Sequence, residues 1–552
     1  MGRIRFTLLI LCVAVAQGLL LYRLYYLQIL NGEYYTERAQ AQILVRESIS
    51  PLRGTIYFTD KKGNLFPAAT NKQFPYLFAV PKKIHDTAGV SAKLAAILRI
   101  PASEIEQKLS NKDSAYALIA KKLSAGVASE IDRLKIPGIF VDTRPERFYP
   151  FGQLGSHILG YVGPNPNDLG EGGHYGIEGL YDSVLRGVQA KFEEDGIVSP
   201  QDGKDLILTI DPNIQEVADR IISELVEKYK AKGGGAIVME PSSGRILALV
   251  GIPQFDPNSY SESSVETFLN PMVQKIYEPG SVVKILTMAA GIDSGKITPD
   301  TSYVDKGSLV LDGRRISNFD LDTKGPYGLV DMRRVIENSI NTGAVFVQQT
   351  IGRELFRNYL ERFGLGEKTG VALPGELEGS LKNLNPNARN IAFATASYGH
   401  GISVTPLGLL RAVAVIANGG KLVRPLIFAD EKPEEIRQVI KEDTAVQITK
   451  MMVSAVDKAR VAKLSGYTLA GKTGTALVPD TIQGGYTDRV INTYVGFGPA
   501  INPRFIALLK LDEPEGAPVA ALTVVPAFRE LAQFILNYYN VPPDRLSIEE
   551  MR

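Results

Sequence analysis

Glu278-Pro279-Gly280-Ser281-Val282-Val283-Lys284-Ile285-Leu286 is the stretch on which the reading of this chain turns. Pro-Gly predicts a loop that ends at a helix start. The run Ile285, Leu286, Met288, Ala289 and Ala290 continues as an apolar helix. Ser281 then sits at or near a helix N-terminus, where unpaired backbone N–H groups and the helix dipole favour developing negative charge. Lys284 follows three residues on, about one turn away on the same face. An amine beside a serine hydroxyl can take its proton, provided burial or a neighbouring cation lowers the amine's pKa. Ser-x-x-Lys alone is a weak pattern, whose ordinary meaning is a surface serine and a surface lysine. It occurs once in this sequence.

Two further segments carry matching chemistry. Ser339-Ile340-Asn341, the single Ser-x-Asn, follows a helical stretch (Met332 to Glu337) and precedes Thr342-Gly343-Ala344. A hydroxyl and an amide on one short loop can relay a proton and bond a peptide carbonyl; alone, they read as a cap or turn. Lys-Thr-Gly occurs twice. Lys368-Thr369-Gly370 follows the glycine-rich Phe363-Gly364-Leu365-Gly366 and reads as a loop. Lys472-Thr473-Gly474 lies between Thr468-Leu469-Ala470-Gly471 and Thr475-Ala476-Leu477-Val478, a small-residue, β-compatible run. It suits an edge strand passing close to a substrate, with glycine admitting the backbone. Lys472 is therefore the functional choice.

Outward from these segments the pattern is α/β. Asp205 to Asp211 reads as a strand, and a helix starting near Pro212 carries Ile214, Val217, Ile221, Ile222 and Leu225 at helical spacing. Gly235–Glu240 and Ile246–Gly251 flank a Pro241-Ser242-Ser243-Gly244 turn as a hairpin. Asn492–Phe497 and Phe505–Leu511 form a second hairpin, followed by a terminal helix from Ala527 to Tyr539. These elements predict an antiparallel sheet flanked by helices, with an all-helical subdomain inserted between the hairpins.

Residues 31–200 read as a mixed, loop-rich region with a strand over Tyr76–Val80 and helices over Ser91–Leu98 and Ala102–Leu109. Nothing in it looks catalytic, which suits a spacer or docking domain. Residues 6–22 contain no charge, and with Arg23 snorkelling the apolar run reaches Leu30. That is enough for the ~20 residues of a transmembrane helix. Arg3 and Arg5 before it place the N-terminus inside. A cleaved signal peptide is the competing reading, but Tyr22, Tyr25 and Tyr26 form an interfacial aromatic belt and no small-x-small cleavage site follows. The expected division is a cytoplasmic tail (1–5), an anchor (6–30), a pedestal (31–200), a catalytic domain (201–545) and a tail (546–552).

Bulk composition removes other classes. A net charge of +1 gives no electrostatic footprint for nucleic acid. The single cysteine, Cys12, forms no internal disulfide, and four scattered histidines lack metal-ligand spacing. No metal and no cofactor are expected.

In this order, the three segments resemble the penicillin-binding-protein and serine β-lactamase superfamily. Arg53-Gly54-Thr55-Ile56, Arg147-Phe148-Tyr149-Pro150, His157-Ile158-Leu159-Gly160, Gly176-Ile177-Glu178-Gly179, Pro241–Gly244 and Gly399–Pro406 are similar to further motifs of the class B enzymes. The resemblance implies a five-stranded transpeptidase fold behind a pedestal and one membrane span. It implies a peptidoglycan D,D-transpeptidase. In that reading Lys284 deprotonates Ser281, which attacks the bond between the terminal D-alanines of a stem peptide. The N–H groups of Ser281 and Thr475 form the oxyanion hole. Ser339 passes a proton to the leaving D-alanine, and Asn341 holds the donor amide. Lys472 and Thr473, with Gly474 and Thr475, receive the terminal carboxylate. A β-lactam would leave Ser281 acylated. Asn341, Leu373-Pro374-Gly375-Glu376 and Gly496-Phe497-Gly498-Pro499 point to the division-type enzymes. An elongation-type enzyme, a D,D-carboxypeptidase, a β-lactamase and a catalytically unused division scaffold remain alternatives. The implied partners are a polytopic membrane glycosyltransferase and small bitopic division proteins, met on the outer face of the membrane.

Overall fold

A computed structural model describes residues 2–26, 29, 51–165, 170–189, 191–193, 196–480 and 484–545. Gly2–Tyr25 is helical (α1). Among the described residues no helix is long and apolar enough to cross a membrane. Parts of the expected anchor (27, 28 and 30), the first pedestal residues (31–50) and the tail (546–552) lie outside the described residues.

The chain packs as two units, Met1–Gly54 with Ser183–Lys204 and Thr55–Asp182 with Asp205–Arg552. In the first, the Gly54 N–H donates to the Leu185 carbonyl at 2.8 Å, and the Leu52 N–H donates to Asp202 Oδ1 at 2.7 Å.

The second unit contains two five-stranded sheets. The N-terminal sheet is built from β1 (Ile56–Thr59), β2 (Leu65–Ala79), β3 (Ala117–Ala120) and β4 (Ile139–Phe148). Its fifth strand, β5, is only Leu206–Ile207, parallel to β1. The strand expected over Asp205–Asp211 is thus shorter, because its later residues pair elsewhere. The Thr209 N–H donates to the Ile427 carbonyl at 2.8 Å, and the Asp211 N–H donates to Leu247 at 2.9 Å. On one face of β2, Leu77 and Ala79 are buried against helices Thr87–Leu98, Ala102–Lys108 and Ala125–Arg133 through Leu94, Ile105 and Ile131. The first and third of these helices start on side-chain caps: Asp86 accepts from Gly89 and Ser124 from Val127.

Asp211 caps α2 (Pro212–Lys228), accepting from the Asn213 N–H at 2.9 Å. The central sheet follows: β6 (Gly233–Met239), β7 (Ile246–Ile252), and after the insert β8 (Ala470–Pro479), β9 (Tyr486–Gly498) and β10 (Phe505–Asp512). Its order is β7-β6-β10-β9-β8, antiparallel throughout, as the two hairpins predict. Alternate residues such as Ala236, Val238, Ala507 and Leu509 bury against α2 and the terminal helix Val524–Tyr538. The opposite face meets the helix Pro406–Ala417. Behind it a second helix, Val283–Asp293, packs among helices of the insert, and every one of its residues is buried. Its buried polar side chains are Lys284, Thr287 and Asp293; Thr287 donates to the Ser397 carbonyl at 2.8 Å, and Asp293 accepts from the Tyr359 hydroxyl at 2.7 Å.

The insert is not all helical. It carries two-stranded ribbons at Ser302–Asp305 with Gly328–Asp331, Ser308–Leu311 with Arg314–Ser317, and Lys421–Val423 with Glu435–Gln438. The second closes on Asp312-Gly313, both at positive φ, a tight hairpin turn for which Asp-Gly is a strong local signal.

Candidate active site

Ser281 lies in a single 3₁₀ turn, Gly280–Val282, that leads into the buried helix. Gly280 has φ +58°, and a Cβ there would meet the Thr475 carbonyl at 3.1 Å. A Cβ on Gly474 would meet the Pro279 carbonyl at 2.8 Å and Val282 at 3.0 Å. Two glycines therefore let edge strand β8 close on the serine turn.

The approach to Ser281 is held by a ladder to the segment 399–404. Tyr277 and Val404 exchange backbone hydrogen bonds at 3.0 Å, and the Gly280 N–H donates to the Gly399 carbonyl at 3.2 Å. Between them Glu278 accepts from the Gly401 N–H at 2.9 Å and from the Tyr486 hydroxyl at 3.0 Å.

Lys284 and Lys472 are 1% and 4% exposed. Lys284 Nζ donates to Ser339 Oγ at 3.0 Å and also to the Ser339 carbonyl. Lys472 Nζ donates to the same Ser339 Oγ at 2.9 Å and to the Thr473 carbonyl at 3.1 Å. One hydroxyl thus joins the two amines. Ser339 takes φ +56°, in the left-handed region that non-glycine residues seldom adopt. The helix Met332–Glu337 ends just before it, and Asn341 opens the next helix, Asn341–Ile351. That helix start is pinned by Asp305, which accepts from the Thr342 hydroxyl at 2.5 Å and from Asn318 Nδ2 at 3.1 Å.

The remaining expected site residues are distributed less simply. Asn341 Nδ2 donates to the Ser317 carbonyl at 2.8 Å. Thr473 is half-buried, with its hydroxyl 3.4 Å from Lys472 Nζ. Thr475 shares the strand face of Thr473, opposite to Lys472 and Gly474. Its Oγ1 accepts from the Ala520 N–H at 3.3 Å. Cross-strand from Thr475, fully buried Asn492 donates to the Ala517 carbonyl at 3.0 Å and to Thr523 Oγ1 at 3.2 Å. Lys284, Ser339 and Lys472 are therefore joined directly, whereas Asn341 and Thr475 make their hydrogen bonds to flanking segments. Among the described residues no group of His, Cys, Asp and Glu could hold a metal ion.

Residues 234–531 match the penicillin binding protein transpeptidase domain, and residues 48–195 match the penicillin-binding protein dimerisation domain. The chain belongs to the class B penicillin-binding protein family. Stage V sporulation protein D of Bacillus subtilis is 32% identical, over 96% of this chain and 84% of the relative. Peptidoglycan D,D-transpeptidase FtsI of Escherichia coli K12 is 28% identical, over 98% and 93%. The crystal structure of penicillin binding protein 2X from Streptococcus thermophilus shares the fold, with a TM-score of 0.72 at 22% identity, covering 90% of this chain and 81% of that one.

In this penicillin-binding protein the two lysines are far from their ordinary protonation behaviour. Burial, reinforced by the charge of Lys472, drives the Lys284 pKa well below the usual lysine value, against a weaker pull from Asp320. Burial lowers Lys472 to about 7. The same causes, burial and then Lys284, lower His400 to about 4. Burial raises the Glu278 carboxyl, while its bonds to Gly401 and Tyr486 oppose the rise.

Sequence reasoning found the three motifs but not their supports. Glu278 and the segment 399–404 stood within the motifs quoted for the family, although their mutual ladder is a tertiary fact. Asn492 and Asp305 gave no local signal: an Asn in a strand and an Asp in a ribbon are ordinary until their partners are known.

Proposed function

We propose that this chain is a serine-type peptidoglycan D,D-transpeptidase that forms peptide cross-links in septal wall synthesis and is acylated by β-lactams at Ser281. The observation that carries the reading is the Ser339 hydroxyl shared by Lys284 and Lys472 beside the Ser281 turn. Lys284, kept neutral by burial and its cationic neighbour, takes the Ser281 proton as Oγ attacks the carbonyl between the terminal D-alanines. The N–H groups of Ser281 and Thr475 stabilise the oxyanion. Ser339 returns a proton to the nitrogen of the departing D-alanine. Lys472, Thr473, Gly474 and Thr475 line the edge strand that receives the donor's carboxylate, and Asn341 holds its amide. An acceptor amine then attacks the acyl-enzyme and regenerates Ser281.

The relative named FtsI supports the division role, and the relative named for stage V sporulation supports a second setting for the same reaction. The uncharged run 6–22 behind Arg3 and Arg5 supports a single-span anchor with the catalytic domain on the outer face. A membrane glycosyltransferase and bitopic division proteins as neighbours rest on the family resemblance alone.

Fluorescent penicillin tests the core of this reading. Wild type should label covalently and Ser281→Ala should not; equal labelling of the two proteins would refute it. Lipid-linked precursor separates cross-linking from hydrolysis, and depletion should give filamentous rather than rounded cells.

A further inference from the structure

The N-terminal sheet has two unlike faces. The odd-numbered side of β2 buries Leu77 and Ala79 under helices. The even-numbered side presents Lys72, Phe74, Tyr76 and Phe78, paired across to Glu146, Arg144, Asp142 and Phe140 of β4. The Phe78 ring lies near-parallel to Tyr76, Tyr116 and Phe140, at centroid distances of 5.6, 5.3 and 5.4 Å and interplanar angles of 26°, 28° and 23°. These rings are half-buried, and Phe140 is 41% exposed. Cations edge them: Arg144 lies over Tyr76 at 5.1 Å, Lys72 over Phe74 at 5.3 Å and Lys83 near Phe140 at 6.0 Å.

We propose that this face is a glycan platform that holds the sugar backbone of the peptidoglycan strand, apart from the peptide site at Ser281. The inference rests on the reading of the chain as a peptidoglycan enzyme. A pyranose offers a face of C–H groups, which suits the electron-rich face of an aromatic ring. Its hydroxyl and acetamido groups suit flanking charged side chains, here Lys72, Asp142 and Arg144. Charge argues against a polyanion such as nucleic acid. Arg144 is already paired with buried Glu146, Nε to Oε1 at 2.6 Å, which leaves Lys72 and Lys83 against Asp142, a small positive excess that fits a weakly anionic polymer with scattered carboxylates. A covered protein interface, by contrast, is depleted of charge at its core. Here the charges lie among the rings.

The test uses the full chain in detergent and glycan strands stripped of their peptides by an amidase. Co-sedimentation measures binding, fluorescent penicillin measures acylation, and thermal unfolding checks the fold. Phe140→Ser and, separately, Lys72→Ala should each weaken strand binding, Phe140→Ser by about tenfold, with acylation and unfolding unchanged. Phe140→Tyr should restore it. Wild type that ignores stripped strands, or variants that bind them as wild type does, would overturn the platform. So would variants that keep strand binding and lose self-association, which would make the face a contact between copies of the chain. Loss of penicillin labelling in wild type would sink the enzymatic reading instead, because strand binding is read without any peptide.

Discussion

The chain holds the tripeptide Lys-Thr-Gly twice, and the two copies live in opposite surroundings. Lys368 is exposed, whereas Lys472 is buried with its amine on Ser339. Thr369 is 2% exposed: its N–H donates to Glu376 Oε1 at 2.7 Å, and its hydroxyl donates to the same carboxylate. The carbonyls of Lys368 and Thr369 each accept from fully buried Arg411 at 3.3 Å. In the first copy the backbone and threonine are spent on holding a loop, and the lysine is left to water. In the second, an edge strand fixes the backbone, so the lysine turns inward and its threonine stays half-open. Identical side chains acquire different chemistry because burial sets the amine's protonation and the strand sets its direction.

The largest break in that contrast comes from removing each amine. Lys472→Met should slow β-lactam acylation by about 10²–10³-fold, and Lys368→Met should leave it within about twofold, measured with a fluorescent penicillin. The contrast collapses if the two variants behave alike. Threonine should reverse the ranking when stability is read. Thr369→Val leaves the buried Glu376 short of a donor and should cost about 1–3 kcal/mol in denaturant unfolding. Thr473→Val should instead act on acylation.

pH sharpens the same comparison. Lys472 titrates near 7 when folded and near 10.5 when unfolded. Between those values the unfolded chain binds more protons, so this group makes stability rise with pH from about 7 to about 10.5. Lys472→Met should flatten that rise. Acylation carries its own limb, because the carboxylate needs a charged Lys472. The rate should fall above about pH 7, and Lys472→Arg should move that limb upward. The smallest effect is Lys368→Ala, expected within about 0.5 kcal/mol of wild-type stability.

The choice between the two copies was legible in the sequence, because strand-compatible neighbours and a following hairpin mark only the second. Both hairpins of the central sheet, the helix after Pro212 and the helix start at Ser281 were legible for the same reason: periodicity and turn residues are local. The Asp312-Gly313 turn is equally local, and it contradicts the all-helical insert that the rest of that stretch predicts. The short β5 and the orientation of Thr475 were not legible. Each is decided by segments more than thirty residues away: Leu426–Phe428 for the first and Ala517–Thr523 for the second. The left-handed Ser339 has no sequence mark at all, since serine is not the residue that usually occupies that region.

The Ser339 hydroxyl has a further consequence. A hydroxyl oxygen has two lone pairs and one hydrogen. When both amines donate to it, both lone pairs are taken and the hydrogen points away from them; a neutral Lys284 can instead accept that hydrogen through its own lone pair. In the first arrangement protons enter this oxygen from the lysine side and leave on the other, so a group that needs one finds it already aimed.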